Sequence, residues 1–136
     1  MTVLKVGSDL ITLFRPVGEK ELQLIAARGF KAFPLRLPDQ PIFYPVTNQG
    51  YAAQIARDWN TKWDEKRGYV TRFKVNARYL SRFKREVVGG REHEEYWIPA
   101  EGLNEFNSNI VGLIEIITEF TEADRLAYEQ RTATNA

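Results

Sequence analysis

The 136-residue chain has no cysteine, one histidine and one methionine. Without cysteine there are neither disulfides nor thiolate metal ligands, and a cytoplasmic setting is the expectation. His93 is the sole imidazole. A zinc site is therefore short of ligands, and no metal is expected. A Ser-His-Asp triad would have to use His93, and no serine stands in a nucleophile-elbow context. There is no phosphate loop, and Val88-Gly-Gly-Arg91 falls far short of a dinucleotide fingerprint. No apolar run is long enough to cross a bilayer. Met1 to Asp9 also lack the apolar core and small-residue cleavage pattern of a secretion signal.

Hydrophobic residues make up 43% of the chain and aromatics 12%, ample for a packed core. No internal repeat or composition break divides it, so residues 1–136 are read as one domain. The net charge is only +1, but it is unevenly spread. Residues 62–91 hold ten Lys or Arg against three acids, a local excess of +7, which leaves about −6 for the rest. A polarised surface of this kind attracts phosphates or an acidic partner, unless these are simply solvated outer faces.

Leu10–Phe14 reads as a strand ending at Arg15, because Pro16 cannot donate to a ladder. Gly18-Glu-Lys-Glu21 opens a helix with acids at its positive end. Leu22, Ile25 and Ala26 give its buried stripe, and Gly29 caps it. Four prolines (Pro34, Pro38, Pro41, Pro45) make residues 30–45 an ordered loop with one short edge strand, Ile42–Tyr44. Thr47 or Asn48 caps a second helix carrying a stripe of Ala52, Ile55, Ala56 and Trp59. Gly68–Val75 alternates as a half-buried strand, with Tyr69, Thr71, Phe73 and Val75 on the inner face and Val70, Arg72 and Lys74 on the other. A helical turn over Ala77–Phe83, a short strand from Arg85 and a strand over Glu92–Ile98 follow. Ile110–Ile117 is the most apolar strand and is expected at the centre of the sheet. Thr121-Glu-Ala-Asp124 has the spacing of a capping box. The whole predicts an α+β fold with two early helices and one C-terminal helix. Its sheet is largely antiparallel, either single or split into two packed halves.

The stretch Arg91-Glu-His-Glu-Glu-Tyr-Trp-Ile-Pro-Ala-Glu101 concentrates carboxylates, the histidine and two aromatics. Strand alternation points His93, Glu95 and Trp97 one way, and Glu94, Tyr96 and Ile98 the other. Either way a carboxylate meets a buried layer, where it must be hydrogen-bonded, paired with a cation such as Arg72, Lys74 or Arg91, or put to use.

Three short motifs resemble the ADP-ribosyltransferase-like superfamily: Leu13-Phe-Arg15 ending the first strand, Phe43-Tyr-x-x-Thr47 leading into the Tyr51-Ala-Ala-x-Ile-Ala helix, and Glu94-Glu-Tyr-Trp-Ile98. The order of elements over residues 10–120 is similar too. The resemblance implies an NAD-binding protein, active or degenerate, that moves ADP-ribose from NAD to an acceptor. Glu95 would stabilise the oxocarbenium character that develops as the nicotinamide–ribose bond breaks. Arg15 would meet a phosphate or orient the ribose. Tyr44 or Tyr51 would stack on the nicotinamide, and Thr47 would bond near it. This chain departs from the pattern in three ways. It lacks a Ser-Thr-Ser second motif, lacks the first-motif histidine of the other branch, and has His93 where arginine-modifying members carry Glu or Gln.

A reading from another class stands beside it: an interaction module that binds nucleic acid or an acidic partner through Arg72, Lys74, Arg78, Arg82, Lys84 and Arg85. That reading requires a continuous basic face with Phe73, Tyr79 or Phe83 exposed for stacking. The enzyme reading requires Arg15 and Glu95 on one concave pocket lined by Tyr44 or Tyr51.

Overall fold

The structure is a computed structural model that describes residues 9–63, 65–91 and 93–134. It is α+β, with β1 (Leu10–Gly18), α1 (Glu19–Ala27), β2 (Ile42–Phe43), α2 (Gln49–Asp58), β3 (Arg67–Asn76) and α3 (Ala77–Leu80) in its first part. Then come β4 (Arg85–Val87), β5 (Glu94–Tyr96), β6 (Ile98–Pro99), α4 (Leu103–Ser108), β7 (Ile110–Thr121) and α5 (Glu122–Thr134). Among the described residues the strand pairs are antiparallel: β1-β3-β7 form one sheet, while β2-β6 and β4-β5 are two-stranded.

β1 does not stop at Arg15 as its proline suggested. It pairs with β3 from Leu10↔Asn76 to Gly18↔Gly68. The reason is sidedness: Phe14 exchanges both main-chain bonds with Val46 on the side away from β3, at 2.9 and 2.8 Å. Pro16, two residues on, turns its missing N–H to that same outer side and costs the β1–β3 ladder nothing.

β3, not the more apolar β7, is the central strand. Both of its faces are covered. Phe73 joins Leu13, Phe33, Phe43 and Phe106 in the main core, while Val70 packs with Val46, Ala52 and Ala56 under α2. Val70 is thus buried, contrary to strict alternation. β7 lies at the sheet's edge, irregular in register, with Gly112 at φ +83° within it. Its Val111, Leu113 and Ile116 are exposed.

Asn48 rather than Thr47 caps α2, its side chain accepting from the Tyr51 N–H at 2.9 Å. The α2 stripe buries Ala52 and Ala56 but leaves Trp59 56% exposed. In α1, Leu22 and Ile25 are buried and Ala26 is exposed. Gly29, at φ +68°, ends α1. Thr121 and Asp124 cap α5 reciprocally, at 2.8 and 3.3 Å. No helix among the described residues is long and apolar enough to cross a membrane.

Candidate functional site

Val46 joins the two parts of the molecule that matter for chemistry. It bridges Phe14 of β1 on one side and Glu95 of β5 on the other. Flanking bonds from Thr47 N–H to the Glu94 carbonyl (3.1 Å) and from Tyr96 N–H to the Pro45 carbonyl (2.9 Å) fix the register. Two residues eighty positions apart, Arg15 and Glu95, thereby line one cleft of about 500 Å³, with Tyr44, Trp97 and Arg36. Trp59 and Asn60, at the end of α2, line it too.

Glu95 is 8% exposed. Its carboxylate accepts from Trp97 Nε1 at 2.8 Å and from the Tyr51 hydroxyl at 3.2 Å. No arginine or lysine of the described residues forms an ion pair with it, so the charge is held by neutral donors alone. Burial, and next the Glu95 carboxylate, raise the Tyr51 phenol above its ordinary value. His93 stacks on the Tyr51 ring at 4.3 Å and accepts from Gly90 N–H through Nδ1. Alternation thus places Glu95 and Trp97 correctly on one face. Glu94 points elsewhere, accepting from the Thr47 hydroxyl at 2.8 Å and facing Arg85 at 3.7 Å. Thr47 is accordingly bonded to Glu94, and neither it nor Tyr51 is among the residues lining the cleft; Tyr51 reaches it only through Glu95.

Arg15 is also 8% exposed and is less free than a phosphate ligand would be. It forks onto Glu21 at 2.7 and 3.0 Å and lies 4.6 Å over the Phe43 ring. The second arginine, Arg36, went unnoticed in the sequence. One of its terminal nitrogens donates to the Ile42 carbonyl at 3.0 Å, while its Nε is buried without a partner among the described residues. Burial, then the neighbouring Arg15 charge, lower its pKa, with Glu21 opposing. Glu21 is paired with Arg15, and Arg36 forms no ion pair among the described residues, so an unpaired cation borders the cleft. The signal that could have found Arg36 is a lone arginine between leucines in a proline-stiffened loop, Pro34-Leu-Arg-Leu-Pro38.

Three aromatic rings on the cleft are unusually wet: Tyr44, Trp97 and Trp59 are 39%, 42% and 56% exposed. Tyr44 and Trp97 meet edge to face at 6.1 Å. Among the described residues, no three His, Asp or Glu side chains cluster closely enough to hold a metal ion.

The basic stretch is arranged differently from what a stacking interface needs. Phe73 and Tyr79 are buried, and Phe83 packs partly buried against the core. Arg72 pairs with Glu115 and Arg82 with Glu105, each at 3.1 Å, and Arg85 faces Glu94. Lys74, Arg78 and Lys84 are exposed.

Compared with known proteins, the chain matches no family model, no curated protein and no solved structure.

Proposed function

We propose that the cleft between β1, β5 and α2 binds NAD and that the protein is ADP-ribosyltransferase-like, transferring ADP-ribose to an acceptor. The observation that carries this reading is the meeting of a buried, unpaired carboxylate with an unpaired arginine and exposed aromatic rings in one cleft. Its volume falls within the ~300–1,000 Å³ of ordinary ligand sites.

Each feature has a use in that reaction. The bond from ribose C1′ to the nicotinamide nitrogen breaks with both electrons going to the ring, which becomes neutral nicotinamide. Positive charge gathers on the ribose, and Glu95 faces it from a position held by Tyr51 and Trp97. The acceptor's lone pair then forms the new bond at C1′, and its proton passes to water. Arg36, with Arg15 behind it, supports the pyrophosphate. Tyr44 and Trp97 offer faces to the nicotinamide.

Calorimetric titration with NAD tests the proposal. Binding is expected in the micromolar to millimolar range, weakened at least tenfold by Arg36→Ala. Absence of heat and of any thermal shift at several millimolar NAD would sink it, since a ligand specific to the folded state must raise the melting point.

A further inference from the structure

Among the described residues, three buried polar side-chain atoms have no partner: Arg36 Nε, Asn60 Oδ1 and the Tyr79 hydroxyl. Two of the three, Arg36 and Asn60, line the same cleft. Buried polar atoms are nearly always satisfied, and each exception calls for an explanation. Here one is a cationic donor and the other an amide acceptor, an unusual coincidence for a cleft of this size.

We infer that Trp59 and Asn60 form a base subsite for the adenine of an adenine nucleotide, which fixes the direction in which a dinucleotide lies. The inference rests on the NAD reading and deepens it by assigning an end of the cleft to each half of the ligand.

Position along α2 sets the direction. Tyr51, which holds Glu95, and Trp59 are eight residues apart, a separation of ~12 Å along a helix. Trp59 remains in right-handed helical conformation at the helix end, so that spacing carries through to it. The separation suits a ligand with its reacting ribose at Glu95 and its far base at Trp59. Arg36, a cation on the same cleft, is the group for the charged pyrophosphate.

The chemistry at the far end matches adenine. The Trp59 ring is 56% exposed and borders the cleft, with the Trp63 ring tilted beside it at 5.6 Å, so it offers exposed aromatic surface to a planar base. Stacking on such a ring recognises any base. Asn60 supplies the discrimination: an amide oxygen accepts from an exocyclic amine, and the same amide can donate to the adjacent ring nitrogen. Asn60 also packs closely on β3. Its Cβ lies where a side chain on Gly68 would fall, 3.0 Å from the ideal Cβ position, so the turn sits directly on β3.

The test is calorimetric titration of wild type, Asn60→Ala and Trp59→Ala with three probes: NAD, ADP and nicotinamide mononucleotide, with melting curves as a folding control. ADP and NAD are expected to bind wild type and to weaken about tenfold in Asn60→Ala and more in Trp59→Ala. Nicotinamide mononucleotide should bind all three proteins alike. If NAD binds but both variants hold ADP as tightly as wild type, the subsite is overturned and the NAD reading survives. If the variants weaken nicotinamide mononucleotide rather than ADP, the ligand lies the other way round and the inference is wrong. If none of the three probes binds wild type, the NAD reading falls and takes the subsite with it.

Discussion

Glu95→Gln separates the chemical role of this residue from its structural one. Glu95 accepts two hydrogen bonds, from Trp97 Nε1 at 2.8 Å and from the Tyr51 hydroxyl at 3.2 Å. An indole N–H only donates, so the amide oxygen of glutamine must take that place. The new NH2 then faces a tyrosine hydroxyl, which accepts as readily as it donates. Both bonds survive, each weaker by ~1 kcal/mol for loss of the charge. Against this, a buried unpaired carboxylate no longer has to be desolvated, a cost of similar size. The two effects offset, and stability should change by less than ~1 kcal/mol, a few degrees in melting temperature. Turnover is another matter. A group that stabilises developing charge is worth on the order of 10²–10³ in rate, and glutamine has no negative charge to offer. Release of nicotinamide from NAD, followed by chromatography beside a melting curve of the same sample, reads both effects. Glu95→Ala supplies the contrast, for it leaves both donors without a partner and should lower the melting point as well. Undiminished nicotinamide release by Glu95→Gln would refute the reasoning, as would a wild type that releases none.

Other perturbations test the frame around the site. Glu21→Gln takes the counter-charge from two clustered arginines and should cost ~3 kcal/mol by chemical denaturation, partly recovered by millimolar pyrophosphate if the cleft holds anions. Gly68→Ala places a Cβ 2.1 Å from the Ala56 carbonyl oxygen, so α2 must move. A loss of ~2–3 kcal/mol in a urea titration is expected, and a variant as stable as wild type would contradict the packing. The Tyr69 phenol is pushed up to about 12 by burial and then by its 2.6 Å bond to Glu19. Because the unfolded chain ionises near pH 10, the contribution is complete below pH 10 and is lost as pH rises toward 12. Melting temperature should therefore fall over that window, less steeply in Tyr69→Phe. Replacing Lys74, Arg78 and Lys84 together by glutamine should leave NAD binding unchanged, and loss of NAD affinity would show that the charged stretch reaches the cleft.

Much of the fold was legible because it follows from short periods. Alternation over residues 93–98 separated Glu95 and Trp97 from Glu94, and the 3.6-residue spacing of Ala52 and Ala56 found the buried face of α2. Rank within the sheet was not legible. Ile110–Ile117 is more apolar than β3, but burial of both faces of β3 comes from partners distant in sequence, α2 above Val70 and aromatic rings below Phe73. Nor did Pro16 end β1, because a missing N–H matters only on the side that is paired. At the site, Arg15, Tyr44 and Glu95 were singled out by motif, whereas Arg36 and Asn60 lie in a loop and a turn whose paths no periodicity describes. A carboxylate partner is the ordinary expectation for a strand-end arginine, but that it is Glu21 was not legible, since the bond depends on α1 folding back onto β1.

The clip at Val46 has a mechanical consequence. Its cleft-side connection between β1 and β5 consists of a bridging residue and its immediate neighbours, not a long ladder. Prising the lips of the cavity apart therefore breaks few main-chain bonds, this stitch among them, although the packing of Tyr96 and Ile98 against Leu13 and Phe43 opposes it, and the three long strands behind stay intact. The amide protons of Val46 and Tyr96 are the sentinels: their exchange rates in heavy water should read the gape of the mouth and slow when something occupies it.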